Sequence, residues 1–429
     1  RKAMSQTEFD ITGLENSLLA GDGDLRHLSA GEQFSLLSNR SAEILQPSRL
    51  RTRLQRTKDG GRPMVIKYGI DPTSKDIHLG HIVPLIVARR LQMMGHHLVL
   101  VFGDFTAYVG DPSGRVATRP VLTKEDIERN VASYKEQVAK FVDIDEAEIV
   151  FNSTFYDEMT IRELFGLYRK VRIQPLLQRD DFRSRLEGLT AAETLYPTLM
   201  AIDSVRIKPD LELGGKDQLL NFQAAISMME AEGMEPEAAL TTELLLGTTG
   251  DGNKMSKSKG NFVALTDSSK EVFGKIMSIP DKLLRHYFTL LTPIADIDYQ
   301  MMEEAMESGR VSPMDVKRML ARFLTTILHN RDSAKEADDE FARLFSRHEM
   351  PEDLSTFNAL SGASIVGILA DNKIVKSRNE ARKLIIQGGL YIVRQDGNQR
   401  VSDVKAMLPE ESEVTLKLGK RRFVRFVTS

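Results

Sequence analysis

Two histidines, His78 and His81, stand three residues apart just after an apolar run, "MVIKYGI", and a turn, "DPTSKDI". At that spacing they share one face of a helix. Pro84 helps to place the helix start, because proline is tolerated in the first turn, where the N–H groups have no internal partner. The helix is therefore expected to begin near Gly80, with both imidazoles at its positive end. Helix N-termini favour phosphate, and Gly80 between the rings lets a ligand approach closely. Taken alone, an H-x-G-H run is better explained as a cap or loop filler.

A second cluster changes that balance. "KMSKS" at Lys254–Ser258 lies 173 residues beyond His81, in a loop framed by Gly252 and Gly260. Two lysines at i, i+3 with serines beside them form a cationic clamp suited to charge that builds on a leaving pyrophosphate. Alone, this too would be a solvated basic loop. A strand–H-x-G-H–helix followed by KMSKS is a much more specific pair.

The elements that must position these groups are legible in outline. "MVIKYGI", "HIVPLIVARRLQMMG" and "HLVLVFGD" read as strand, helix and strand, a βαβ unit that seeds a parallel sheet. Residues 120–200 are largely helical in period, and "DSVRI" and "DLELGG" then read as strands. A helix follows from "KDQLLNFQ". Residues 266–350 are helical, and after Pro351 a helix and short strands end the chain. In such a sheet a nucleotide is expected at the carboxyl ends of the strands.

Composition narrows the class. With 429 residues the chain needs two or three domains. Cysteine is absent, which removes disulfides, thiolate metal sites and cysteine nucleophiles, and the eight histidines show no metal-ligand spacing. No apolar run reaches the roughly 18 residues of a membrane span, and no signal-peptide core is seen, so a cytoplasmic location is expected. Residues 361–429 hold 13 Lys/Arg against 7 Asp/Glu, while the first 360 hold 45 against 54. A basic tail module on an acidic body predicts contact with a polyanion. Within it Arg378, Arg382 and Lys383 share one helix face. Lys417, Lys420, Arg421, Arg422 and Arg425 gather at a hairpin with Phe423 and Phe426 interleaved, a pattern suited to RNA phosphates.

These motifs carry a resemblance. The chain resembles class I aminoacyl-tRNA synthetases, and more closely the bacterial tyrosyl-tRNA synthetases, over roughly residues 45–429. Besides "HLGH" and "KMSKS" the likeness rests on "GDPSGR", "LYPTLMAIDSV", "LGGKDQ" and "SRNEARKLIIQGGLYI", the last similar to an S4-type RNA-binding domain. It implies an N-terminal extension at 1–45 and a Rossmann-type α/β catalytic domain with a helical insertion at 46–265. It further implies a helical anticodon-binding domain at 266–352 and an α+β S4-like domain at 353–429. The substrates implied are ATP with Mg²⁺, L-tyrosine and tRNA(Tyr), with no tightly bound cofactor, no metal site of the protein's own, and a homodimer.

Roles follow only where residues match. Asp71, Thr73, His78, Gly80 and His81 match the ATP signature, and Gly215 and Asp217 the segment that holds the ribose. Lys254, Lys257 and Ser258 match the loop that acts on the phosphates. Asp111 and Tyr196 match holders of the substrate ammonium. Asp203 matches the acceptor of the phenol proton, with Lys67 and Gln218 in the same pocket. Arg115 and Arg119 match positions near pyrophosphate or the tRNA end.

Three residues depart from the family pattern: Lys67 stands where many tyrosyl enzymes have a tyrosine that contacts the substrate hydroxyl, Met200 stands where glutamine is usual, and Ile202 replaces an aromatic. Methionine cannot supply an amide's hydrogen bonds. Either Asp111 and Tyr196 hold the ammonium alone, or the preferred substrate is a tyrosine analogue or β-amino acid. The same residues are also compatible with a relative that binds RNA without catalysis, and with an ATP-dependent ligase that uses no tRNA. A buried carboxylate aimed at a phenol predicts strong rejection of phenylalanine.

Overall fold

The computed structural model describes residues 9–111, 123–172, 183, 186–188, 190–346, 354–393, 399–419 and 422–428. Arg115, Arg119, Lys420 and Arg421 lie outside them. The chain divides into two compact units, residues 1–335 and 336–429.

The first unit is built on a six-stranded sheet: β1 (Glu43–Leu45), β2 (Val65–Ile70), β3 (His97–Phe102), β4 (Glu148–Phe151), β5 (Leu211–Gly215) and β6 (Ala238–Thr242). Their order is β1-β6-β5-β2-β3-β4, all parallel except β1, which pairs antiparallel with β6. The central strands bury both faces, as "HLVLVF" and "LELGG" require, because helices cover the sheet on either side. From β2 the chain winds outward to β3 and β4, then returns on the other side of β2 to β5 and β6. The strand order therefore reverses between β2 and β5, the place where such sheets bind ligands. Asp71 and Asp217 follow the ends of those two strands.

The helix after β2 runs Leu79–Met93 with His78 as its N-cap, one residue earlier than the proline suggests. Pro84 lies in the second turn, so the Gly80 carbonyl lacks its helical donor there. A larger departure concerns "DSVRI". Asp203–Ile207 is not a strand but the end of a helix, Ala191–Ile207, opened by a Thr190–Glu193 capping box and closed by Lys208 at φ 58°. β-branched residues raise strand propensity, but burial against the Leu219–Ala231 helix wins. The lead-in contributes the helix Ile11–Ala20, which packs on Pro313–Leu328 through a Glu15–Arg322 ion pair at 2.6 Å. Residues beyond 266 in this unit are helical, as their periodicity predicts.

The second unit carries the sheet β7 (Ser355–Ala359), β11 (Arg422–Thr428), β10 (Glu413–Leu418), β8 (Leu390–Ile392) and β9 (Gln399–Arg400), in that spatial order. β10 and β11 form the expected antiparallel hairpin. The helices Ile365–Asp371 and Arg378–Ile386 pack over a core that includes Leu369, Ile385, Leu416 and Phe426. Phe426 is fully buried in that core, so the period-2 alternation makes it a packing residue, not a partner for RNA bases.

Candidate active site

The helix Leu79–Met93 opens with a reciprocal cap made by its two histidines. His78 Nδ1 accepts from the Gly80 amide at 3.1 Å, and His81 Nδ1 accepts from the His78 amide at 3.3 Å. The proton of each ring then sits on Nε2. The rings lie 3.9 Å apart between centroids. A Cβ on Gly80 would fall 2.9 Å from His78 Cε1, so glycine is needed here to let that ring fold over the helix start. Burial, with His81 and the two loop lysines nearby, pushes His78 far below the usual imidazole range and keeps it a neutral donor.

The KMSKS loop meets this turn directly. Lys257 Nζ donates to Ser74 Oγ at 2.6 Å and to the Asp76 carbonyl, both in the turn before "HLGH". Lys254 Nζ pairs with Asp217 Oδ2 at 2.9 Å. Ser258 Oγ lies 3.1 Å from Ser256 Oγ. Behind the loop, Val263 O accepts from Leu79 N at 3.0 Å and Ile77 O from Leu265 N at 2.9 Å. Buried Asn261 organises the loop: its Oδ1 accepts from Ser256 N at 2.9 Å and its Nδ2 donates to Lys254 O at 3.3 Å. A Cβ on Gly247 would strike that amide at 2.0 Å. Two cationic side chains thus converge on the ends of β2 and β5, beside neutral imidazoles and a helix N-terminus. Thr73 lies in the same turn, its amide donating to Asp71 O at 2.7 Å, and Gly215 leaves room for the Asp217 carboxylate.

On the other side of Asp71 the site becomes buried and acidic. Asp71 accepts from Tyr196 Oη at 2.8 Å and from Thr106 Oγ1 at 2.7 Å. Thr106 Oγ1 accepts from Asn152 Nδ2 at 3.1 Å, and the same Nδ2 donates to Asp203 Oδ2 at 3.0 Å. Asn152 Oδ1 takes the Phe105 amide at 3.0 Å, which fixes the orientation of the side-chain amide. Tyr156 Oη closes the chain, 2.9 Å from Asp203 Oδ1 and 2.8 Å from Leu199 O. One hydrogen-bonded line therefore runs Tyr196–Asp71–Thr106–Asn152–Asp203–Tyr156. Burial pushes the carboxyl of Asp71 up to about 7 and that of Asp203 up to about 6. Asp111 adds a third carboxylate near Asp71 and accepts from Gln218 Nε2 at 2.8 Å. A pocket with this much buried acid favours a cationic ligand.

Comparisons with known proteins give the family. The family model described as tRNA synthetases class I (W and Y) matches residues 58–346. The tyrosine–tRNA ligase of Thermotoga maritima is 39% identical, over 92% of this chain and 97% of its own length. That of Geobacter metallireducens is 37% identical, over 93% and 100%. The chain belongs to the tyrosine–tRNA ligase family. It is thus an aminoacyl-tRNA ligase. Among solved structures, the tyrosyl-tRNA synthetase of Archaeoglobus fulgidus complexed with L-tyrosine shares the fold, with TM-score 0.60 and 22% identity over 72% of this chain and 100% of that one.

Within this tyrosine–tRNA ligase relative, Lys67 has an unusual setting. It lies directly opposite Glu212 in the β2–β5 register and is fully buried. Its Nζ contacts Glu212 Oε1 at 2.7 Å, Ser204 Oγ at 2.8 Å and Met200 O at 3.4 Å. Burial pulls the ammonium down, but Glu212, Glu237 and Asp203 together hold it above its usual range. Glu237 accepts from Ser204 Oγ at 3.1 Å, and burial beside Glu212 drives its carboxyl well up, towards the neutral acid. Lys67, Glu212 and Glu237 thereby form a nearly charge-balanced block under Asp203. Met200 is half-buried, and Ile202 is fully buried with Leu199, Tyr156 and Met228.

Sequence reasoning missed Thr106, Asn152, Tyr156, Glu212, Ser204 and Asn261. The available signal was small: a lone polar residue at the end of an apolar strand, as in "IVFN". Gly103 was also missed. A Cβ there would lie 2.1 Å from Asp71 Oδ1, so glycine makes space for the carboxylate. In the second unit Arg378, Arg382 and Lys383 lie on one exposed helix, where Arg378 pairs with Asp371 at 3.3 Å. Arg422 donates to the Ile374 carbonyl.

Proposed function

We propose that the chain activates L-tyrosine with ATP–Mg²⁺ and transfers the tyrosyl group to the 3′ end of tRNA(Tyr). The observation that carries this reading is the docking of the KMSKS lysines on the turn that leads into "HLGH", at the strand-order reversal between β2 and β5. A tyrosine carboxylate oxygen attacks the α-phosphorus, the bond to the bridging oxygen breaks, and pyrophosphate leaves. Lys254 and Lys257 exchange their present oxygen partners for the β- and γ-phosphates as negative charge grows there. His78 and His81 donate from Nε2 to phosphate, and Asp217 with Gly215 receives the ribose. Asp111 and Tyr196 hold the ammonium, with Asp71 behind Tyr196. Asp203 receives the phenol, and Gln218 orients Asp111. Lys67 acts through the charge block under Asp203. Arg115 and Arg119 serve the pyrophosphate or the tRNA end.

No side chain needs to become a covalent intermediate, since positioning and charge stabilisation supply the catalysis. In the second step a terminal ribose hydroxyl attacks the activated carbonyl and AMP leaves. Residues 266–352 serve the anticodon end, and residues 353–429 bind RNA through Arg378, Arg382, Lys383, Lys420, Arg421 and Arg422. The helix Ile161–Tyr168 buries none of its residues and exposes Ile161 and Phe165 at 75% and 61%, which supports a homodimer through that face. Among the described residues no helix is long and apolar enough to cross a membrane.

Pyrophosphate exchange against a panel of amino acids, with and without tRNA, tests the reading. Tyrosine-dependent exchange in the absence of tRNA is expected, and its absence would refute the reading. Met200 favours one second reading, a paralogue that takes β-tyrosine, and the same panel decides between them. Removal of 353–429 is expected to spare exchange and weaken tRNA charging. The lost affinity should depend steeply on salt, because phosphate contacts release counterions. Charging that survives the truncation at physiological salt would show that the module is not an RNA arm.

A further inference from the structure

We propose that Asn221 is a positioning residue for the substrate's ammonium group: it fixes which way the Gln218 side chain faces and so holds the Asp111 carboxylate in place. The inference rests on the proposed tyrosine-activating function, in which Asp111 meets the ammonium.

Asn221 is fully buried on the helix Leu219–Ala231, on a face otherwise made of Phe222, Ala225, Ile226, Met228 and Met229. An amide in such surroundings costs stability unless its polar atoms are bonded. Its Nδ2 donates to Gln218 Oε1 at 2.7 Å, and Gln218 Nε2 donates to Asp111 Oδ2 at 2.8 Å. Gln218 is the N-cap residue of this helix and Asn221 its third residue. In a capping box the third residue reaches back to the N-cap backbone. Here it reaches back to the N-cap side chain, which makes no cap of its own and is left to serve the pocket.

The direction of this chain is forced by its chemistry. A carboxylate can only accept, so the nitrogen end of Gln218 must face Asp111. The oxygen end then faces Asn221, whose amide can answer it only with Nδ2. Turned over, Gln218 would set its carbonyl against the Asp111 carboxylate, acceptor against acceptor. Close packing holds the same side chain from behind. A Cβ on Gly214 would fall 3.4 Å from Gln218 Cγ and 2.7 Å from Phe222 Cζ, so glycine lets the end of β5 close on both.

A group that touches a ligand is effective only when its own position is locked by its neighbours. Asp111 follows Gly110, at φ 73°, after a helix of only four residues, and Gln218 ties it to the start of a long one. Released from Asn221, Gln218 can swing its carbonyl towards the incoming ammonium, and Asp111 then loses its brace.

Asn221→Leu removes the donor and keeps a side chain branched at the same carbon. Two competitive ligands separate positioning from packing: tyramine keeps the ammonium of tyrosine, and 3-(4-hydroxyphenyl)propionate lacks it. In inhibition of tyrosine-dependent pyrophosphate exchange, the variant is expected to weaken tyramine about fivefold to tenfold, the worth of roughly one hydrogen bond. KM for tyrosine should rise in parallel. The inhibition constant of the propionate, kcat and KM for ATP should hardly move, because the affected contact is made to the bound ammonium at every stage.

Equal weakening of both ligands would make Asn221 a packing residue, and unchanged constants for both would show that Asp111 needs no brace. Either result overturns the proposal. Should Asn221→Leu fail to fold, Asn221→Ser, smaller and still polar but too short to reach Gln218, is measured with the same two ligands, and the same outcomes decide. A parent with no tyrosine-dependent exchange fails at the functional reading itself, before any variant is compared, and the Asn221 assignment falls with it.

Discussion

The two ends of the site are built on opposite plans. The nucleotide end is made of short contiguous runs, "HLGH" and "KMSKS", held by backbone hydrogen bonds and by lysines that are partly open to solvent. Its cations rest on Asp217, Ser74 and a carbonyl, all partners that phosphate oxygens can replace. The amino-acid end draws Asp71, Thr106, Asn152, Tyr156, Tyr196 and Asp203 from separate elements into one buried line. There each group's charge state depends on the next. The first region is arranged to move charge during the reaction; the second is arranged to be complete beforehand. Mutations should therefore act on rate at one end, and on binding and selectivity at the other.

The largest effect is expected from the lysines. Lys257→Ala or Lys254→Ala should slow adenylate formation by about 3–4 kcal/mol of transition-state stabilisation, roughly a hundred- to a thousandfold, as when one preorganised donor is lost. Amino-acid affinity should hardly change, because the lysines act on charge that develops late. Rapid-quench measurement of the first turnover, beside equilibrium binding of tyrosine, checks both halves. Equal losses in binding and rate would erase the contrast between the two ends.

This contrast also explains what could be read from the sequence alone. Helix N-termini and lysine-rich loops leave local signatures, so His78, Gly80, His81, Lys254 and Lys257 stand out in the chain. Asn152 and Tyr156 sit in "FNSTFY", which reads as an ordinary strand exit, and only tertiary contacts bring them to Asp203. "DSVRI" was legible as regular structure but not as helix. Its branched residues favour a strand, while Asp203 needs the helical frame to stand two turns from Tyr196 on one side of the Ala191–Ile207 helix. Glu212 pairs with Lys67 because parallel register places them opposite one another. Register depends on the whole sheet and leaves no mark in either strand alone. Phe426 taught the converse lesson, since its place among arginines concealed the inward side of an alternating strand.

Met200 sharpens the comparison from within the amino-acid end. It lies one turn beyond Tyr196, half-buried, and its side chain has no donor and only a weakly accepting thioether to offer an amino acid. Met200→Gln should tighten L-tyrosine by about 1.5–3 kcal/mol, the value of a hydrogen bond to a charged group, if the new amide reaches the substrate's polar end. The rate of adenylate formation at saturation should move far less. Exchange with L-tyrosine and β-tyrosine in parent and variant is the measurement. A parent that strongly prefers L-tyrosine, combined with an unaltered KM in Met200→Gln, would remove any case for a changed substrate.

The smallest effect is a pH dependence, and it runs in opposite directions for binding and for stability. Burial holds the Asp71 carboxyl up at about 7; its bonds from Thr106 and Tyr196 lower it, and Asp111 and Asp203 raise it. In the unfolded chain the same carboxyl ionises near 4. Between those values the folded protein binds more protons than the unfolded one, so Asp71 costs stability as pH rises from about 4 to 7. Ligand binding reverses the sign. A bound ammonium favours the ionised carboxylate, so binding expels a proton and the amino-acid KM should fall as pH climbs through 7. About nine-tenths of Asp71 is protonated at pH 6 and about one-tenth at pH 8, which bounds the gain at roughly tenfold. Asp203, held up at about 6, adds a smaller slope below that window, whereas neutral His78 does not titrate there. KM for tyrosine measured from pH 6 to 8 should therefore decline in the parent, while Asp71→Asn should bind more weakly and show a flatter profile. A parent KM that is level across this range would mean that Asp71 is already ionised before the amino acid arrives, and that the buried end is not acid-loaded in the way its hydrogen-bonded line implies.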